Sequence, residues 1–234
     1  MDCSYLFRAA KCVPALLADC GFTESSPQNA GAPSDGAPAY TLRKNISGGD
    51  FYVLFRLNPA AETLSAQVYD AATDEKYALF DMNRAHGSFV AAMRKEVQEI
   101  LADIRRTCFV SVDQKDRYIA FLKAHFGCGP DFPWQDTPDF CVFRRENQKW
   151  FALIMRITYK QLGLQGDEDV WVVNLKADAD SIGALIDKKS VFPAWHMNKK
   201  HWITVLLTAA TDFDRLCALT ERSYALVQGA ERKA

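Results

Sequence analysis

Between residues 40 and 80 the chain is cut into short segments by clusters of turn residues, and this punctuation restricts the fold more than any other feature. Segments 40–46, 51–57, 64–69 and 76–80 are separated by Ser47-Gly48-Gly49-Asp50, Asn58-Pro59-Ala60-Ala61 and Ala71-Ala72-Thr73-Asp74. In the second segment Phe51, Val53, Phe55 and Leu57 alternate with Tyr52, Leu54 and Arg56, the period of a strand with one buried face. Tight turns between such strands predict a four-stranded antiparallel meander. The period then changes. Phe89, Val90, Met93, Val97, Ile100, Leu101 and Ile104 form one stripe, opposite Arg94, Lys95, Glu96, Glu99 and Arg105, which predicts a long helix over 88–108 with Ser88 as its N-cap. Residues 3–20 predict a further helix, interrupted by Pro14 and closed by Gly21. Between that helix and the meander, a stretch of Ser, Pro, Gly, Ala and Asn predicts a mobile loop over about 24–39.

The second half repeats this kind of grammar without repeating the sequence. A helix is expected from Ser111 to Gly127, burying Tyr118, Ile119, Phe121, Leu122 and Phe126. A loop over 128–134, fixed by Pro130 and Pro133, follows it. A hairpin of 140–145 and 149–159, a strand over 171–176, a short helix over 181–189, a strand over 202–207 and a closing helix over 211–227 complete the chain. Strands and helices are segregated, so the fold class is α+β, with two tandem modules, 1–109 and 110–234, each a β-meander flanked by helices. A length of 234 residues with 49% hydrophobic content supports two such cores.

The densest chemistry lies in 193–205, where Trp195, His196, Asn198, Lys199, Lys200, His201 and Trp202 crowd one run. Neither face of a strand made from this run would be purely apolar, and a solvated loop would leave two indoles in water. It predicts a shaped surface turn that enters a strand at Trp202-Ile203-Thr204-Val205. Other cations fall where a compact fold can bring them near: Lys188 and Lys189 after the short helix, and Arg144, Arg145 and Lys149 around the hairpin. Cations of this kind contact phosphates, and aromatics beside them can stack on bases. The same residues also suit any solvated surface or helix C-terminus. With 28 Lys+Arg against 29 Asp+Glu the chain has no global field for nucleic acid, so any such contact rests on a local patch.

The order His196-Met197-Asn198-Lys199-Lys200-His201-Trp202-Ile203-Thr204-Val205, followed by an Asp212-led helix reaching Ser223-Tyr224, resembles the signature of the MmcQ/YjbR family. The resemblance covers roughly 110–228. It implies a small domain similar to the CyaY (frataxin-like) fold and a double-wing mode of DNA binding; the leading reading assigns the phosphate contacts to Lys199, Lys200, His201 and the hairpin arginines. The helix, meander and helix of the first half also look like the extra domain of some longer members. One departure lies near the implied DNA face, where Pro133-Trp134 is followed by Gln135-Asp136 instead of glycine.

Other chemistries find less support. His196 and His201 are neither three nor four apart, as helical metal ligands would be, and in a strand they would lie on opposite faces. No Gly-x-Ser-x-Gly elbow, Walker loop or Gly-x-Gly-x-x-Gly occurs. Neither an enzyme nor a cofactor is expected. The 7 cysteines contain no Cys-x-x-Cys pair and predict reduced thiols in a cytoplasmic protein. No apolar run is long enough for a membrane span. The leading expectation is a sequence-tolerant DNA-binding protein; the alternative is a module that binds a protein partner or a small ligand.

Overall fold

The computed structural model describes residues 1–25, 39–82, 87–164 and 168–228, and the chain divides into two compact units, Met1–Val110 and Ser111–Ala234. In the first unit, β3 (Ala39–Ile46), β4 (Phe51–Asn58) and β5 (Thr63–Asp70) follow the predicted alternation and pair antiparallel. Helix α3 (Ser88–Cys108) lays the fully buried Met93 and Val97, with Leu101 and Ile104, against Leu42, Val53, Phe55, Leu57, Leu64 and Ala66 of the sheet.

The fourth strand differs from expectation. It is β2 (Thr23–Ser25), at the edge beside β3, taken from the start of the predicted loop; the rest of that loop up to residue 38 lies outside the described residues. Residues 76–80 supply only a bridge from Lys76 to Tyr69 before the short helix α2 (Ala78–Asp81). The turn ahead of them is closed by Asp70, whose carboxylate accepts the N–H groups of Ala72 and Thr73.

The predicted helix over 3–20 breaks into α1 (Leu6–Ala9), β1 (Ala10–Cys12) and a 3-10 turn at Pro14–Leu16. Proline has no N–H to give a helix interior but fits the first position of a new turn, which is where Pro14 sits. β1 pairs with β6 (Phe109–Ser111). Ser88 does not cap α3, because Gly87 occupies the N-cap position and no side chain bonds there. Five described cysteines are free as expected, but Cys20 and Cys108 form a disulfide that joins the end of the N-terminal segment to the last residue of α3.

The second unit contains α4 (Lys115–Phe126), β7 (Cys141–Arg144), β8 (Trp150–Thr158), β9 (Asp169–Lys176), α5 (Ile182–Leu185), β10 (Val191–Pro193), β11 (Trp202–Leu206) and α6 (Phe213–Leu226). Its antiparallel sheet has the order β10-β11-β9-β8-β7. Tyr118 and Leu122 of α4 and Leu216 and Leu219 of α6 pack with Phe143, Phe151, Ile154, Val173, Leu175 and Val205 of the strands. The Tyr118 hydroxyl meets that of Thr220 at 2.8 Å, so the buried phenol has a partner.

Helix α4 starts at Lys115 instead of Ser111, because 109–111 is extended in β6 and the Gln114 side chain turns back to donate to the carbonyls of Thr208 and Thr211. The helix expected over 181–189 ends at Leu185. Asp187 stops it: its Oδ1 accepts the N–H groups of Lys189, Ser190 and Val191, each at 2.8 Å, and the folded turn releases the chain into β10.

Candidate functional site

Strand direction fixes which candidate residues share an end of the sheet. Trp202 at the start of β11 is opposite Lys176 at the end of β9, and Arg144 at the end of β7 is opposite Trp150 at the start of β8. Since Leu175 is opposite Ala152, the loop 194–201 and the hairpin turn 145–149 emerge at one end. About two strand spacings, roughly 10 Å, lie between them. Lys188 and Lys189 precede Val191, and Ser190 accepts the N–H of Leu206, the last residue of β11, so this pair sits at the opposite end. A five-residue strand separates the two lysine pairs by roughly 15 Å.

The loop 194–201 is built locally and then pinned to the sheet. Asn198 accepts the Lys200 N–H on Oδ1 at 2.9 Å and the His201 N–H on its carbonyl at 3.0 Å, a side-chain-closed turn. His196 takes a left-handed backbone, φ +56°, and its ring meets Trp195 edge to face at 5.0 Å. Behind them Asn174, 0% exposed in the middle of β9, donates Nδ2 to the Trp195 carbonyl at 2.8 Å and accepts the Thr204 hydroxyl on Oδ1. Thr204 Oγ1 accepts the Trp195 N–H, also at 2.8 Å. This closed polar network holds the loop's root. A lone Asn inside the apolar run Val172-Val173-Asn174-Leu175 was the sequence signal for it, because a buried amide requires partners.

The loop exposes His196, Asn198, Lys199, Lys200 and His201, and among the described residues none of their side chains forms an ion pair. Lys149 is exposed on the hairpin turn at the same end. The remaining predicted residues have other partners. Trp202 is buried, with the Lys176 ammonium 5.8 Å from its ring. Arg144 pairs with Asp131 at 2.7 Å and donates to the Gln148 carbonyl. Arg145 lies over the Tyr224 ring at 4.3 Å and donates to the Tyr224 carbonyl, while Asn147 donates to that of Val227, so the hairpin turn caps the C-terminus of α6.

At the other end Asp187 anchors its own turn. Burial alone would raise its pKa, but the N–H groups of Val191, Ser190 and Lys189 and the Arg215 guanidinium, 2.6 Å away, outweigh that effect and hold the carboxyl well below the usual range.

Comparison with known proteins places these features in a family. The YjbR family model matches residues 123–226. The uncharacterized protein YyaQ of Bacillus subtilis is 32% identical over 108 residues, covering 46% of this chain and 92% of its own length. A Pseudomonas syringae protein solved by crystallography is 38% identical, with 49% of this chain and 98% of that one aligned at a TM-score of 0.47. A Deinococcus radiodurans crystal structure aligns over 50% of this chain and 80% of its own at a TM-score of 0.39 and 24% identity. Through the unit that carries the cationic loop, the chain belongs to the MmcQ/YjbR family.

Proposed function

We propose that the C-terminal unit binds DNA with little sequence preference, through phosphate contacts from Lys199, Lys200 and His201 on the 194–201 loop and from Lys149 beside it. The observation that carries this reading is the exposed, acid-free loop held on a fixed root. Its cations need not leave protein carboxylates to meet phosphates, and the Asn174–Thr204 network limits the ordering cost of the encounter. Contacts of this type position the protein without reading base edges, which is why sequence tolerance is part of the proposal. Arg144, Arg145, Trp202, Lys188 and Lys189 are left out of the footprint because they are engaged elsewhere or lie at the far end. The proposed role is non-enzymatic; no helix among the described residues is long and apolar enough to cross a membrane.

The test is fluorescence anisotropy of labelled duplex DNA titrated with the full chain across a salt series. Each phosphate neutralised contributes roughly 0.9 to the slope of log affinity against log salt. The variant K199A/K200A therefore lowers the slope by about 1.8 and weakens binding on every sequence tested. An unchanged affinity and slope in that variant would refute the proposal.

A further inference from the structure

Residues 13–22 run as a strap between β1 and β2 and belong to neither strand. The backbone bonds of this strap are almost all local. The N–H groups of Leu16, Leu17, Gly21 and Phe22 donate to the carbonyls of Val13, Pro14, Ala18 and Leu17, all inside it. One bond reaches out, from the Val13 N–H to the Cys108 carbonyl at 2.9 Å. Leu17 and Phe22 are buried, but Pro14, Ala15, Ala18, Asp19 and Gly21 are exposed. A segment with so few tertiary contacts opens at low cost. The Cys20–Cys108 disulfide, which ties the strap to the last residue of α3, is therefore its main restraint.

The two sulfurs differ in access. Cys108 is fully buried, whereas Cys20 is half-buried on the exposed part of the strap, so a small thiol reaches the bond from the Cys20 side. Disulfides open to solvent in this way are the ones that exchange readily. The fold also accommodates the reduced state: Cys108 Sγ lies 3.5 Å from the Leu16 carbonyl oxygen, an acceptor in place for the thiol proton. Cys12, one residue before the Val13 that bonds to Cys108, stays out of the exchange. Burial pushes its pKa up to about 11, which keeps it protonated near neutral pH, and the thiolate is the attacking form.

We propose that the Cys20–Cys108 bond is a reversible clasp, opened by a small thiol of the glutathione class, that sets whether the strap is held on α3 or released. The external thiolate bonds to Cys20 Sγ and expels the Cys108 thiolate, which takes up a proton and donates to the Leu16 carbonyl. A second thiol then displaces Cys20. The sum is one protein disulfide and two small thiols converted to two cysteine thiols and one small disulfide. Oxidation by the small disulfide runs the same steps backwards. The clasp is separate from the nucleic-acid reading and stands or falls without it.

The test equilibrates the full chain across a series of reduced-to-oxidised glutathione ratios, blocks free thiols by alkylation under denaturing conditions, and locates the blocked cysteines by mass spectrometry of fragments. Cys20 and Cys108 are expected to pass together from protected to alkylated within the series, in the native chain and in Cys12→Ser alike. Brief chymotrypsin digestion then reads the strap. Cleavage after Leu16, Leu17 or Phe22 is expected to be about tenfold faster in the reduced chain than in the oxidised one. Cys20→Ser cleaves at the fast rate at every ratio, with an unchanged far-UV circular dichroism spectrum as the check on folding. Both thiols free even in oxidised glutathione, or Cys20 carrying glutathione while Cys108 stays free throughout, overturns the bond. A pair that stays oxidised in excess reduced glutathione overturns its reversibility. Equal cleavage rates in the two states overturn its hold on the strap.

Discussion

Asn174→Ala tests whether the polar network at the root of the loop is a structural unit. The side chain is 0% exposed and donates to the Trp195 carbonyl at 2.8 Å while accepting from the Thr204 hydroxyl. Truncation leaves that carbonyl and that hydroxyl without their partner. Each buried group left unsatisfied costs about 1–3 kcal/mol. The lower end of that range, about 1–1.5 kcal/mol per group, applies here, because Trp195 is only partly buried and the Thr204 hydroxyl can rotate, giving roughly 2–3 kcal/mol in total. With a urea dependence of about 2 kcal/mol/M, the unfolding midpoint falls by roughly 1–1.5 M. The assay is selective by sequence: all 5 tryptophans, at 134, 150, 171, 195 and 202, belong to the C-terminal unit, so indole fluorescence reports that unit directly. Thr204→Val breaks the same network from the other side, leaving the Trp195 N–H and Asn174 Oδ1 unpaired. The double variant should therefore cost less than the sum of the singles by more than about 0.5 kcal/mol. A loss below about 0.5 kcal/mol in Asn174→Ala, or strict additivity in the cycle, would show that the network does not hold the loop.

Three further outcomes are expected. K188A/K189A leaves DNA affinity and its salt slope unchanged, since that pair lies at the far end of the sheet from Lys199; a loss equal to that of K199A/K200A would contradict the assigned footprint. Asp187 has a folded pKa depressed below 3.8, so its stabilisation is present above that pH and is lost as pH falls through the lower folded value. Acid unfolding followed by tryptophan fluorescence below about pH 4 is then shallower in Asp187→Asn than in the native chain, and superimposable curves would remove Asp187 from that role. Gly127 ends α4 at φ +66° with nothing within 4 Å of a built Cβ, so Gly127→Ala costs only the left-handed backbone penalty, about 1 kcal/mol, in urea unfolding.

Elements whose signals are local were legible in the sequence. The alternation in β4, the apolar stripe of α3 and the glycine closing α4 each state their conformation within a few residues, and the structure follows them closely. Misreadings arose where a distant partner decided the outcome. Residues 3–17 have helical spacing, yet β1 is drawn out to pair with β6, and Pro14 fits only the start of a turn. β2 carries Thr23-Glu24-Ser25, polar residues that look like loop, and is a strand because β3 offers an unpaired edge.

The same distinction divides the candidate site. Lys199, Lys200 and His201 stay exposed because their turn is closed by Asn198, within three residues, and nothing distant changes that geometry. Arg145 had the same appearance in the sequence, a cation at a hairpin tip, but the last carbonyls of α6 arrive 79 residues later and engage it. Lys188-Lys189 and Lys199-Lys200 differ by one short strand, β10, absent from the sequence reading, three residues long and ending in Pro193, which cannot donate to a ladder. That strand carries the chain along the sheet from one end to the other, so two lysine pairs close in sequence come to serve opposite ends of the unit. A cationic motif therefore locates a surface only when the elements between its members are known, and here the decisive element is three residues long.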